Sequence, residues 1–461
     1  MTANIPLWQL TATELSAGFA QGRFTPAQAL EACLARSRAV NPRLNALVAI
    51  DEEGAAHAAA ESGARWQTGR ALGPLDGVPV TIKDNLQVAG LPTHWGSRAL
   101  EGLVAARDEL PVARLRAAGA VIFGKTNVPE FTMQGYTDNP VFGPTRNPWN
   151  LALTPGGSSG GAAALVAAGG CPVALGTDGG GSIRRPASHT NLVGFKPSRG
   201  RVPRGEGLPP IFLDFEVAGP LARSVDDARA VMQAIGRAAP REAAEPRPAR
   251  ILFVPRFGDH PVDPRIAALT EAAAEGLAAL GHEVRTAQDF DLAEAVNQRW
   301  PLLAQVGLAW LVAHPQALWD RTIDASRFGP AMQANAEAGR RASAGELFEL
   351  LYEAERLRVA LARVFEDCDF LLTPAAAALP WPAGDTHPPR IAGREVGPRG
   401  HAVFAGFANA VGLPAIALPC GFAEGLPVGM QLVGPEGADD ALLALAGAIE
   451  KSRPWQRFPP L

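Results

Sequence analysis

Cysteine is scarce. The 461-residue chain has four, Cys33, Cys171, Cys368 and Cys420, scattered and in no C-x-x-C pair. Disulfide frameworks and thiolate metal centres need clustered cysteines, so neither is expected, and no metal or other cofactor is implied. An excess of one charge is missing too. The formal net charge is −4 with both signs interspersed, which argues against a nucleic-acid partner held by bulk electrostatics. No eighteen-residue apolar run occurs, and the opening MTANIPLWQL lacks a basic stretch followed by an apolar one. A membrane partner is therefore not expected, and the cytoplasm is the expected location. Histidine supplies no motif: only His189, just after a glycine-rich turn, is a tempting base.

What the chain does have is concentrated in residues 154–187, TPGGSSGGAAALVAAGGCPVALGTDGGGSIRRPA. Two glycine-serine turns, Gly156 to Gly161 and Gly179 to Ser182, flank a small-residue segment and an apolar run. Such glycine content permits backbone conformations that a Cβ forbids and leaves N–H groups uncovered near the serines. Ala162 to Ala168 reads as a short helix, and Pro172 to Leu175 as a buried strand delivering Gly176-Thr177-Asp178 to the second turn. Serines beside a cluster of backbone donors suit acyl transfer. A phosphate loop is disfavoured, because the Gly-Lys-Ser/Thr ending and a dinucleotide-type βαβ unit are both missing. Gly157-Ser158-Ser159-Gly160-Gly161 fits the nucleophile-elbow pattern, but Asn147-Pro148-Trp149-Asn150 and Thr154-Pro155 stand where its strand should be.

A serine nucleophile needs a base. Upstream, Val78 to Ile82 reads as a core strand with Lys83 at its end. A lysine beside an apolar strand can be desolvated, which makes its neutral amine available. Lys83 taken alone reads rather as an ordinary exposed strand-end lysine.

Taken together, GVPVTIKDN, FGPTRNPWN, TPGGSSGG, GTDGGGSIRRPA, GFKPSRGRVP and GLPVGMQLVGP resemble, in content and order, the amidase signature family. The resemblance implies an α/β fold: a large mixed twisted β-sheet covered by α-helices on both faces. It implies Lys83 as base, Ser158 as a bridging serine after a cis peptide, and Ser182 as nucleophile. The oxyanion hole would come from the N–H groups of Gly179, Gly180, Gly181 and Ser182. Asp178 and Arg184 match a charged pair that braces this loop, Ser159 a supporting serine, and Lys125 a structural lysine. Gly179 departs from the larger residue of many relatives, which leaves the hole available and widens the pocket. The loop Glu130 to Tyr136 would border the pocket, with the Thr132 carbonyl facing substrate.

The rest of the chain fits one domain over 1–461: a helical region 1–70, a signature core 70–235, a variable substrate-lining part 240–365, and a C-terminal part of the core 366–461. Thr11-x-x-Glu14, Thr25-x-x-Gln28 and Ser343-x-x-Glu346 are capping-box starts. Ser224-x-x-Asp227 opens another helix. A polar, proline-bearing connector is read at 237–248, and Pro380 to Arg399 as a surface loop near the substrate entrance. Trp300, Trp310, Trp319 and Phe328 either hint at an apolar substrate or simply pack helices. The expected activity is hydrolysis of a small-molecule carboxamide, with a homodimer as the implied assembly. The same motifs also resemble the A subunit of glutamine-dependent tRNA amidotransferases, which works with partner subunits. A Ser-His-Asp hydrolase using His189 is the mechanistic rival.

Overall fold

The computed structural model describes residues 5–237, 248–319 and 321–461. The connector expected at 237–248 lies, but for its two ends, outside the described residues. The strands are β1 Leu47–Ile50, β2 Pro79–Lys83, β3 Val121–Thr126, β4 Val173–Asp178, β5 Val193–Lys196, β6 Val217–Ala222, β7 Arg250–Phe253, β8 Glu283–Thr286 and β9 Phe370–Pro374. A small pair follows, β10 Arg390–Ile391 and β11 Arg394–Glu395, then β12 Ala415–Ala423 and β13 Leu426–Val433.

Eleven of these strands form one mixed sheet in the order β1-β3-β2-β4-β6-β5-β12-β13-β9-β7-β8. Strands β3, β2 and β4 run parallel, while β4 pairs antiparallel with β6. Both faces are covered, and alternate side chains show it. Val121 and Phe123 enter one apolar cluster with Leu30, Leu34 and the alanines of helix Gly160–Ala167. Ile122 enters the opposite one, with Leu15, Val231, Leu277 and Leu445 from four other helices. Hence β2, β3, β4, β6 and β9 are buried at every residue and read as apolar runs instead of alternating ones. Edge strand β8 is largely exposed and carries Glu283 and Arg285, which discourage further pairing.

The three expected capping boxes form with both reciprocal bonds. Ser224 caps helix Val225–Ile235 through the Asp227 N–H, but the Asp227 carboxylate does not return to its own N-cap. It accepts instead from the N–H groups of Ala12 and Thr13 at 3.1 and 3.0 Å, fixing helix Ala12–Ala20 onto the core.

Helix Gly160–Ala167 carries the first glycine-serine turn into the core. A Cβ on Gly161 would lie 2.4 Å from Asn127 N and 2.8 Å from the Ala46 carbonyl oxygen, both rigid backbone atoms. Gly161→Ala should therefore lose about 1–3 kcal/mol of stability, the usual cost of overpacking. Urea unfolding checks this, and a wild-type midpoint would contradict the close approach.

Candidate active site

Because β2 and β4 are parallel neighbours, with Ile82 opposite Leu175, their C-terminal ends lie side by side. Open α/β sheets bind ligands at such strand ends. This pairing sets Lys83 next to Thr177. The Lys83 Nζ donates to Ser158 Oγ at 2.7 Å, to Thr177 Oγ1 at 2.8 Å and to the Thr177 carbonyl at 3.0 Å. Ser158 follows a cis Gly157–Ser158 peptide bond. Lys83 is fully buried, and burial pushes its amine down to about 7. The Glu216 carboxylate opposes that shift.

Glu216 belongs to a group that the sequence did not announce. It accepts from Thr177 Oγ1 at 3.3 Å and from Asn85 Nδ2 at 3.3 Å, and it pairs with Arg204, which also holds Glu109 at 2.8 Å. The lysine therefore touches only neutral acceptors, with one ion cluster a threonine away.

The second turn is built on Asp178. Its carboxylate takes Arg184 Nε at 2.9 Å and Nη2 at 2.8 Å, with both partners fully buried. Burial by itself would raise the Asp178 pKa, but Arg184 holds the carboxyl well below the usual carboxylate range. Arg184 also donates to Gln431 Oε1 at 2.7 Å and Asn409 Oδ1 at 2.6 Å, so the turn is tied to β13 and to helix Gly406–Ala410. The same carboxylate captures the Gly181 N–H at 2.7 Å. This corrects one expected role: Gly181 is already engaged and is not a free donor. The N–H groups of Gly179, Gly180 and Ser182 make no hydrogen bond among the described residues. They remain as the candidate oxyanion donors.

Ser182 and Gly179 line a cavity of about 370 Å³, together with Thr132 to Tyr136, Phe212, Trp300, Arg185, Arg399 and His401. Ser159 donates its N–H to the Ser182 carbonyl at 3.1 Å and its Oγ to the Thr177 carbonyl at 3.1 Å, linking the two turns. At the cavity edge Phe131 and Thr132 both take positive φ, 52° and 57°. A Cβ on Gly179 would come no closer than 3.4 Å to its neighbours, so the glycine leaves room there.

Several expectations need adjusting. Of the four aromatics, Trp300 lines the cavity, whereas Trp310 and Trp319 are exposed and Phe328 packs behind the wall on Phe131. The loop before Arg399 does reach the cavity, through Thr386 and Pro398. His189 has its Nε2 3.2 Å from the Ala378 carbonyl and its ring edge-on to Trp381. Burial lowers its pKa to about 3. Lys125 is bound to Asp84 at 2.9 Å and Thr93 at 2.7 Å, as a structural lysine would be. Arg185, Arg399 and His401 were missed. Only Arg185 left a trace in the sequence, as the second arginine of an otherwise small-residue motif.

A family model for Amidase matches residues 28–443. The chain belongs to the amidase signature family. The A subunit of the glutamyl-tRNA(Gln) amidotransferase of Salinispora arenicola (strain CNS-205) is 34% identical, over 97% of this chain and 98% of that relative. Among solved structures, a bacterial aryl acylamidase of the amidase signature family superposes with TM-score 0.88 at 30% identity, covering 98% of this chain and 97% of its own. A 6-aminohexanoate cyclic dimer hydrolase complexed with substrate gives 0.89 at 30% identity, covering 99% of both chains. The eleven-stranded mixed sheet with its helical layers is the fold expected from the motifs.

If the neutral Lys83 amine is the working base, kcat/KM should fall as pH drops below about 7 and the amine protonates. Glu216→Gln removes a charge that favours protonation, so the acid limb should move to lower pH. A pH–rate profile on folded protein checks the sign, and a shift to higher pH would contradict it.

Proposed function

We propose that this amidase signature enzyme hydrolyses the C–N bond of a small linear carboxamide through an acyl-enzyme on Ser182. The observation that carries the reading is the buried, readily neutralised Lys83 amine 2.7 Å from Ser158, whose neighbour Ser159 bonds through its N–H to the carbonyl of Ser182 in the cavity wall. Lys83 takes the proton of Ser158 as Ser158 takes that of Ser182, whose Oγ attacks the amide carbon. Charge develops on the carbonyl oxygen, and the N–H groups of Gly179, Gly180 and Ser182 are the donors left to stabilise it. On collapse of the tetrahedral intermediate the C–N bond breaks. The proton returns along the same path to the leaving nitrogen, releasing ammonia or an amine. Water then repeats the sequence on the acyl-enzyme and frees the carboxylate.

A second reading follows from the amidotransferase relatives: an A subunit that draws ammonia from glutamine and works with partner subunits. Glutamine brings an ammonium group as well as a carboxylate, and among the described residues no Asp or Glu lines the cavity to receive it. That favours the stand-alone amidase. His189 supports a rival triad poorly, since its ring is directed to a backbone carbonyl and a tryptophan.

A fluorophosphonate probe read by intact mass tests the assignment. Wild type, Ser159→Ala and His189→Ala should each form one adduct, and Ser182→Ala none. An adduct that persists in Ser182→Ala and disappears in Ser159→Ala would sink the mechanism. Turnover of simple amides by the chain alone, with free glutamine left intact, separates the two functional readings.

A further inference from the structure

Among the described residues, the cavity beside Ser182 is lined by two arginines and no carboxylate. Arg185 is almost completely buried. Its Nη1 and Nη2 donate to the carbonyls of Gly157 and Gly180 at 2.8 and 3.0 Å, which satisfies two N–H groups without a paired carboxylate, Asp178 acting only from a distance. Its Nε is buried without a partner. Arg399 is less constrained. Among the described residues its guanidinium has no hydrogen-bond acceptor, with Nη2 buried and unpaired, and it lies 5.4 Å from the Trp300 ring centroid. His401 is buried against the Trp381 ring, with neither ring nitrogen bonded among the described residues.

Three other buried cations have carboxylate partners. Arg184 has Asp178, Lys125 has Asp84, and Arg204 has both Glu109 and Glu216. An unpaired charge taken out of water costs several kcal/mol, and two like charges in one cavity add repulsion. Burial and that repulsion bring Arg399 down to about 9, and burial brings Arg185 to about 10, so both remain cationic at neutral pH. Asp178 offsets part of the Arg185 charge and solvent reaches part of Arg399, but neither guanidinium has a paired carboxylate, and an anion in the cavity would supply one.

We propose that Arg185 and Arg399 form a carboxylate-binding subsite beside Ser182, so that the preferred substrate is a small amide bearing a carboxylate. Arg185 anchors the near edge, since its N–H bonds the Gly181 carbonyl and its side chain bonds Gly180 in the same turn as Ser182. Arg399, its guanidinium over the Trp300 ring, presents free N–H groups to the anion, a planar fork suited to a carboxylate. His401, kept neutral by burial, adds a donor. The inference deepens the amidase reading and rests on it for turnover, but not for binding.

The test has a binding part and a kinetic part. Succinate is titrated into Ser182→Ala by calorimetry, with neutral succinamide as the control. Succinate should bind at least about tenfold tighter, and Arg399→Gln introduced into the same protein should abolish the difference. In wild-type enzyme, succinamate carries its carboxylate on the acyl side and N-acetylglycine on the amine side. Each is compared with its neutral amide counterpart, succinamide or N-acetylglycinamide. A tenfold or greater advantage in kcat/KM for either acid, lost in Arg399→Gln mainly through KM, supports the subsite and shows which side of the scissile bond it serves. Equal binding of succinate and succinamide, with no advantage for either acid, overturns it. The two proposals fail separately. Succinate binding without a fluorophosphonate adduct keeps the subsite and discards the mechanism, whereas an adduct without anion preference does the reverse.

Discussion

Everything at the site hangs on the fully buried Asp178–Arg184 pair. A charge pair in a low-dielectric interior is tolerated only when its remaining donors and acceptors are satisfied. Here they are, by Gly181, Ile183, Asn409, Gln431 and the Ala405 carbonyl. The consequence is geometric. One carboxylate curls residues 178–184 into a fixed turn, and one guanidinium ties that turn to β13 and to helix Gly406–Ala410. The Ser182 hydroxyl and the free N–H groups therefore sit on backbone that cannot relax without breaking the pair. That rigidity is what electrostatic stabilisation of a developing charge requires.

Opposite electrostatic solutions lie one strand apart. At the end of β4 the protein keeps a carboxylate ionised by giving it a cation and several N–H groups. At the end of β2 it removes a lysine from water and gives it only hydroxyls and a carbonyl, which lowers its proton affinity. Environments that push neighbouring groups apart are how one fold assigns different proton roles. The Glu216–Arg204–Glu109 cluster trims the effect, close enough to act on Lys83 and separated from it by Thr177. A third environment, the cavity, keeps two arginines short of anions.

Much of this was legible in the sequence where local chemistry decides the outcome. Glycine-serine turns, strand-end Lys83 and the capping boxes carry their reasons within a few residues. Gly181 was half-legible. Read as one of four equivalent donors, it is taken by the carboxylate three residues upstream, a short-range bond that aspartate commonly makes. Arg184 and Arg185 were not separable. Adjacent helical residues point about 100° apart, and only the packed structure says which meets Asp178 and which meets the cavity. Arg399 and His401 come from a proline-rich loop whose placement depends on long-range contacts, so nothing near them in sequence marks them. Trp310 and Trp319 misled for the complementary reason: large aromatics in a variable segment can stand on its outer surface.

The central claim is that Lys83 is neutral near physiological pH because the fold has desolvated it. The chain is well suited to a direct measurement, since it has four lysines, Lys83, Lys125, Lys196 and Lys451. Uniform 13C-lysine labelling gives four Cε signals to follow by NMR against pH, with Lys83→Met and Lys196→Met assigning the two that burial brings to about 7. The account predicts that the signal lost in Lys83→Met titrates near 7 in the folded protein. A Lys83 signal that stays protonated to pH 10 would contradict it, and the proton path through Ser158 would then need another base.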